Sequence, residues 1–377
     1  MLFSAPELTA ADLAVIDGIG ELRRALRHHV AEPKRWPGLL RRTLQARAIR
    51  GSNSIEGYLV TLDDAVAAVD EEQPLSADER TWAEIVGYRD AMTYVQQLGD
   101  DPHFGYDESL VRSLHFMMLR HDLVVKSAGR YRTGPIYVRN DATGEVVYEG
   151  PDAALVPGLV SELTAWLQDD AAAGPVYVRA ALAHLNLVMI HPFRDGNGRM
   201  ARALQTLVLA RDGILAPEFS SIEEYLGRNT DAYYDVLART GEGAWHPEND
   251  TSEWIRFTLR AHHIQAQTVR RRVETARDLY AMVAGVADRL GLPERTTVAL
   301  FDAAQGLRVR RAAYERAAEV EPATAGRDLR QLTKAGLLVA RGETRGRHYV
   351  AGPGLDGTRE VVRATREPVV DPYADAS

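Results

Sequence analysis

The chain has 377 residues, with 45 Lys and Arg against 53 Asp and Glu; its net charge of −8 gives no global basic field for nucleic acid. Hydrophobic residues make up 45% and charged residues 26%, the balance of a soluble globular chain with room for two or three domains. It contains no cysteine, which excludes disulfides, thiol catalysis and thiolate metal sites and favours a reducing, cytoplasmic setting. The start, MLFSAPELTAADLAVIDGIG, lacks a basic stretch followed by a long apolar run, so no signal peptide is expected. No window approaches eighteen uninterrupted apolar residues, so no membrane span is expected either.

In chain order, helical apolar spacing predicts helices over 8–26 and 36–57, the second with a break near Gly51. Thr61 to Asp64 has a capping-box pattern that starts another helix. Residues 76–98 and 107–121 are amphipathic and helical. Between 129 and 151, β-branched and aromatic residues alternate around Asn140-Asp141-Ala142-Thr143-Gly144, which predicts a short β-hairpin. Pro157 sets a helix start, and 176–190 is apolar on nearly every face and belongs at the centre of a bundle. Residues 201–213 continue a helix that Gly213 can cap. A long helical connector follows, and beyond about residue 293 come three short helices and a hairpin centred on Gly342 to Gly346. The tail after Gly352 is polar and expected to fray.

The most informative stretch is HPFRDGNGRMAR, His191 to Arg202. Asp195-Gly196-Asn197-Gly198 suits a turn with positive φ, and its backbone N–H groups can converge where a helix begins, forming an anion site. Arg199 and Arg202, spaced i and i+3 in the first helical turn, oppose the macrodipole by about 0.3–1 kcal/mol each if exposed. A polyanionic occupant such as a nucleotide polyphosphate explains that placement. Asp195 beside phosphates suits Mg²⁺, and His191, an imidazole titrating near neutrality, can take a proton from a hydroxyl nucleophile.

HPFRDGNGRMAR resembles the signature of the Fic family at every defining position, with similarity over roughly 107–245 and a further element upstream. The resemblance implies a mainly α fold: a Fic helical bundle with a β-hairpin flap, followed here by a small winged helix-turn-helix domain. It implies transfer of AMP from ATP to a Ser, Thr or Tyr hydroxyl of a target protein. By the same resemblance His191 is the general base and Asp195 the Mg²⁺ ligand. Gly196, Asn197 and Gly198 form the anion hole, and Arg199 and Arg202 bind the outer phosphates. Val138, Arg139, Asn140 and Asp141 belong to the flap edging the nucleotide and target, and Tyr233 and Tyr234 match a Tyr pair near the adenine. The family often has Asn seven residues after the second Tyr; here that position is Gly241. The intact Gly-Asn-Gly-Arg favours AMP transfer over phosphoryl or phosphocholine transfer.

Ser52-Asn53-Ser54-Ile55-Glu56-Gly57 resembles the family's inhibitory motif, with Ser52, Glu56 and Gly57 at its defining positions. If Gly57 ends a helix, Glu56 opposes the dipole there as the arginines oppose theirs, and each relieves the other. A Glu56–Arg202 pair is therefore expected to take the γ-phosphate position and hold the enzyme off.

The expected organisation is an N-terminal helical region (1–106) carrying the inhibitory motif, a Fic core (107–245), a helical connector (246–292), a winged-helix-like unit (293–352) and a flexible tail (353–377). From 295 to 350 there are eleven Lys and Arg against six Asp and Glu, about +5. Arg327, Arg330 and Lys334 on the third helix, and Arg341, Arg345 and Arg347 on the wing, can contact DNA phosphates; a protein-interaction surface or a solvated face is the other reading. The run Arg270-Arg271-Arg272 is read as helix surface. Two further functions stay open: removal of AMP by the same site, and a DNA-binding regulator with the Fic core as sensor. The resemblance also leaves a homodimer open.

Overall fold

The computed structural model describes residues 1–30, 35–139, 143–169, 174–213, 216–343, 346–364 and 368–374. Asn140, Asp141 and Arg345 lie outside the described residues.

The chain is mainly helical. It begins with α1 (Ala10–Val30), α2 (Trp36–Ile55), α3 (Leu62–Val69) and α4 (Glu79–Leu98). Thr61 and Asp78 cap α3 and α4 by accepting N–H bonds from Asp64 and Thr81, as their side chains dictate. Then come α5 (Glu108–Leu119), the single turn α6 (Leu123–Lys126), and a hairpin of β1 (Tyr137–Arg139) and β2 (Val146–Glu149). The hairpin is antiparallel, pairing Tyr137 with Glu149 and Val138 with Tyr148, with an irregularity before Arg139. Its strands are shorter than the alternation over 129–151 suggests. After it come α7 (Val156–Gln168), α8 (Val176–Ile190), α9 (Asn197–Arg211), α10 (Pro217–Ser220), α11 (Glu223–Arg228) and α12 (Thr230–Gly241). The 38-residue α13 (Ser252–Arg289) leads to α14 (Thr297–Ala304), α15 (Arg311–Ala318) and α16 (Pro322–Lys334). A second antiparallel hairpin, β3 (Leu338–Arg341) with β4 (His348–Ala351), precedes α17 (Asp356–Ala364).

α8 and α9 pack most extensively against each other and are buried almost all round, which is why neither shows one clean polar face. Around them α1, α4, α5, α7, α12 and the first half of α13 close one apolar core. A second core joins the later half of α13 to α14–α16 and β3–β4. α2 contributes to both, with Trp36 to Leu44 in the second and Ala46 to Ile55 in the first.

α2 runs through Gly51 without the expected break. A Cβ at Gly51 would stand 2.6 Å from the Glu223 carbonyl oxygen and 2.8 Å from Glu224 Cα, and Gly227 meets Gly51 as closely. Gly51 is thus the place where α2 and α11 cross, and its missing side chain serves packing rather than a turn. The chain after Gly352 also differs from the expected flexible tail: Tyr373 is buried, its hydroxyl donates to Asp12 at 3.0 Å, and Asp371 pairs with Arg260 at 3.0 Å. Polar composition concealed a docking segment held by specific partners rather than by apolar periodicity. No helix among the described residues is long and apolar enough to cross a membrane.

Candidate active site

The loop between α8 and α9 is built by its own side chains. His191 ends α8 in the left-handed region, φ +50° and ψ +58°, a conformation that costs a non-glycine residue about 1–2 kcal/mol. Phe193 is fully buried, and Asn197 accepts its N–H and donates to its carbonyl, both at 2.9 Å. The Asn197 side chain therefore closes the loop, leaving only its backbone for a ligand. Gly196 starts α9 at φ +76°, where a Cβ would also lie 2.9 Å from Leu119.

His115 of α5 supports this loop from below. Its ring stacks on Phe193 at 3.7 Å between centroids. Nδ1 accepts the Gly129 N–H at 2.8 Å, so Nε2 carries the proton and donates to the Asp195 carbonyl at 2.9 Å. Burial pushes this imidazole down to about 4, and burial likewise holds His184 and His262 at about 3. All three are neutral in the fold, whereas an unfolded histidine titrates near 6.5. Below about 6.5 the unfolded chain binds more protons, so stability is complete above that value and falls as pH descends toward about 3. Thermal melts at successive pH values should show the melting temperature dropping through this window. A flat profile would contradict neutral burial.

Arg132 fastens the hairpin to the same loop. It is buried, donating from Nε to the His191 carbonyl at 2.8 Å, from Nη1 to Gly134 at 2.9 Å and from Nη2 to Pro151 at 2.5 Å. Tyr148 of β2 adds a bond from its hydroxyl to the Met189 carbonyl at 2.7 Å. Arg132→Ala should leave the bundle folded but free the hairpin. Limited proteolysis should then cut between 133 and 150 at least about tenfold faster, and unchanged protection would show that Tyr148 suffices.

His191 Nδ1 donates to the Val188 carbonyl at 2.9 Å, which leaves the lone pair on Nε2. Burial, with the nearby Arg132 cation, outweighs Glu56 and Asp195 and holds the ring below its usual range. The imidazole is thus a neutral base at pH 7 with one nitrogen to offer. Asp195 is partly exposed; its Oδ1 accepts the Gly196 N–H at 2.7 Å and its Oδ2 lies 3.1 Å from Lys126 Nζ.

Arg199, in the first turn of α9, and Arg202, in its second, are fully buried. Arg199 donates to Glu84 of α4 at 2.6 Å, and Glu84 also holds Lys126 Nζ and lies 3.1 Å from His121 Nε2. Tyr58 covers both cations, its ring 5.4 Å from the Arg199 guanidinium and 5.5 Å from Lys126 Nζ. Arg202 is gripped from α2: Nε donates to Ser52 Oγ at 2.7 Å, and Nη2 to the Ser52 carbonyl at 3.1 Å and to Glu56 Oε1 at 2.6 Å. Glu56 caps α2, followed by Gly57 at φ +81°, so both helix ends carry the expected misplaced charges and those charges meet. Gly198 makes the meeting possible, because a Cβ there would stand 2.6 Å from Glu56 Oε1. Arg202 Nη1 is buried beside Gly198 with no hydrogen-bond partner among the described residues, a donor still awaiting an acceptor.

Other expected site residues fall differently. Tyr233 is buried, its hydroxyl 2.9 Å from His184 Nε2, so it is a core residue behind Arg202; Tyr234 is half exposed and its hydroxyl reaches the Ile55 carbonyl at 3.4 Å. Gly241 is buried against Met189 and Tyr148. Val138 is partly buried, while Arg139 is exposed and folds back onto the Gly144 carbonyl at 2.9 Å. Arg327, Arg330, Lys334, Arg341 and Arg347 are exposed on α16 and the second hairpin, remote in sequence from this loop. Glu84, Lys126, His115, Arg132 and Tyr58 were not anticipated from the sequence.

A helical bundle whose central pair is joined by this glycine-bearing loop, with a hairpin stapled beside it, defines a Fic domain. Residues 105–209 match the Fic/DOC family model, so the chain contains a Fic domain. Among curated relatives, a protein adenylyltransferase fic-1 from Caenorhabditis briggsae is 27% identical over 66% of this chain and 48% of its own length. A protein adenylyltransferase Fic from Nematostella vectensis is 29% identical over 55% of this chain and 45% of its own. The chain thus spans about half the length of these curated relatives. A Fic family protein from Desulfovibrio desulfuricans superposes with a TM-score of 0.60 at 22% identity, covering 93% of this chain and 99% of that one. Fic-1 from Caenorhabditis elegans superposes at 0.57 with 22% identity over 71% and 74% of the two chains.

Proposed function

We propose that this chain transfers AMP from ATP to a hydroxyl side chain of a target protein, and that Glu56 holds the resting enzyme nearly off. The observation that carries the reading is the Glu56–Arg202 pair at 2.6 Å, lying on Gly198 at the start of α9. A helix N-terminus, a glycine without a side chain and an arginine with one unused donor make a phosphate site. At present a carboxylate from the same chain stands in it.

The chemistry follows from the atoms available. The target hydroxyl oxygen forms a bond to the α-phosphorus, the bond to the leaving pyrophosphate breaks, and the hydroxyl proton passes to His191 Nε2. Val188 orients the imidazole, and the strained backbone at His191 aims it out of the end of α8. Asp195 suits Mg²⁺: a partly exposed hard oxygen donor in the loop, with the remaining ligands supplied by phosphates and water. No group of three candidate ligands converges among the described residues, so an all-protein cage is not what this site offers. When bound, the ion would neutralise phosphate charge and fix its orientation, in competition with Lys126 for Asp195.

The test is labelling with ATP radioactive at the α-phosphate, followed by separation of protein from free nucleotide. Label should enter protein with wild type slowly, with Glu56→Gly quickly, and with His191→Ala not at all. Label from the γ-phosphate instead would replace AMP transfer by phosphoryl transfer. Chasing the labelled product with wild-type protein tests the reverse reaction, release of AMP by water.

A further inference from the structure

The run Arg270-Arg271-Arg272 has a role that helix surface alone does not cover. Far from the His191 loop in sequence, a cavity of about 480 Å³ opens between α2, α11, α13 and the end of α14. Arg47 of α2, Arg228 at the end of α11, and Arg271 and Arg272 of α13 line it, and no carboxylate does. One acid lies beneath. Glu224, buried, takes Arg272 at 2.5 Å, Arg228 at 2.6 Å and Arg47 at 3.6 Å. A single carboxylate thus answers three guanidinium groups.

Cations converging around less than their own charge repel one another unless an anion joins them. Burial, and the Arg272 charge beside it, push the Arg47 guanidinium down to about 10, still charged at pH 7. Its Nε is buried with no hydrogen-bond partner among the described residues. Planar guanidinium forks suit phosphate oxygens in pairs. The opposite wall is apolar, formed by Leu40, Ala276 and Leu279. The volume falls in the range of small-molecule sites.

From this juxtaposition we propose that the α2–α11–α13 cavity binds an organic phosphate of nucleotide-monophosphate size, its phosphate on Arg47, Arg271 and Arg272 and its organic part on Leu40 and Leu279. The site is separate from the Gly198 phosphate site and does not depend on the proposed transfer reaction. It shares α2 with the inhibitory motif: Arg47 precedes Glu56 by nine residues, about 13 Å along the helix. The Gly51–Gly227 crossing locks α11 to α2 between them.

Isothermal titration of the full chain with AMP, and separately with pyrophosphate, tests it. AMP should bind wild type at one saturable site, more tightly than pyrophosphate and more weakly as salt rises. Arg271→Glu should weaken binding at least about tenfold, with Arg271→Gln, which keeps size and spares the Glu224 pairs, in between. Circular dichroism confirms folding of each variant. Glu56→Gly should leave AMP binding at the cavity unchanged, because AMP has no γ-phosphate to replace the Glu56 carboxylate; a separate titration of wild type and Glu56→Gly with ATP tests the Gly198 reading apart from this cavity. No binding of AMP by wild type, or equal binding by folded Arg271→Glu, overturns the site. Pyrophosphate binding as tightly as AMP overturns the organic occupant.

Discussion

Glu56→Gly should raise transfer of α-labelled AMP, including self-modification, by about a hundredfold, equivalent to about 2.7 kcal/mol. The magnitude follows from what the side chain holds. Its carboxylate accepts Arg202 Nη2 at 2.6 Å, with Arg202 fully buried and Glu56 partly exposed. Removing one partner of a fully buried pair costs about 3–5 kcal/mol, and partial exposure reduces that figure. In this case the cost is refunded when ATP enters, because a phosphate meets the abandoned guanidinium. The variant should therefore lose stability without nucleotide and regain it with nucleotide. Wild type should gain much less, which a thermal melt with and without ATP reads directly. Equal labelling by the two proteins would remove Glu56 from regulation. Loss of labelling in Glu56→Gly would make Glu56 part of the catalytic machinery.

The second large effect belongs to Glu84. Glu84→Gln should destabilise the fold by about 3–5 kcal/mol, because Arg199 and Lys126 then lose their shared counter-ion in a buried setting. Urea titration of wild type and variant gives the difference, and a loss under about 1 kcal/mol would mean that Asp195 compensates. Burial works against ionisation of this carboxyl, but Arg199, Lys126 and His121 hold it down to about 2. A carboxyl lowered in the fold contributes stability that is complete above its ordinary value near 4.5 and disappears as pH falls toward about 2. Acid unfolding of wild type should therefore have a late phase in that window that Glu84→Gln lacks. The phase overlaps the lower end of the histidine window, which reaches about 3, so the comparison with Glu84→Gln is what separates the two.

What the sequence disclosed follows physical locality. His191 to Arg202 is contiguous, and its glycines, proline and charges each force a local conformation, so the loop and the helix start were readable. The pairing of Glu56 with Arg202 was legible for a different reason: two charges at the wrong ends of two helices call for each other, whereas the Ser52 bonds to Arg202 are seen only in the fold. Glu84 had no such local sign, because α4, α6 and α9 come together only in the folded bundle. One signal was available. Glu84 shares the buried stripe of α4 with Ile85, Tyr88, Ala91, Met92 and Val95, and an acid on an apolar face requires a partner. Tyr233 misled in the opposite direction, since an aromatic pair says nothing about which ring faces the core; Trp254 and His184 settle that by surrounding it. The tail was misread because Tyr373 and Asp371 dock through single contacts that composition cannot register.

Ser52 lies in α2 and Glu56 caps it, and α2 is itself part of both apolar cores. On the proposed reading the inhibitor is therefore a fixed fixture whose only moving part is one side chain. Its local concentration around Arg202 is set by tethering and does not change with dilution, so the ratio of resting to active protein should be the same at nanomolar and micromolar protein. Side-chain rotation runs in picoseconds to nanoseconds, far faster than turnover. Inhibition should therefore behave as a rapid pre-equilibrium, with no lag when ATP is added and no memory after it is withdrawn.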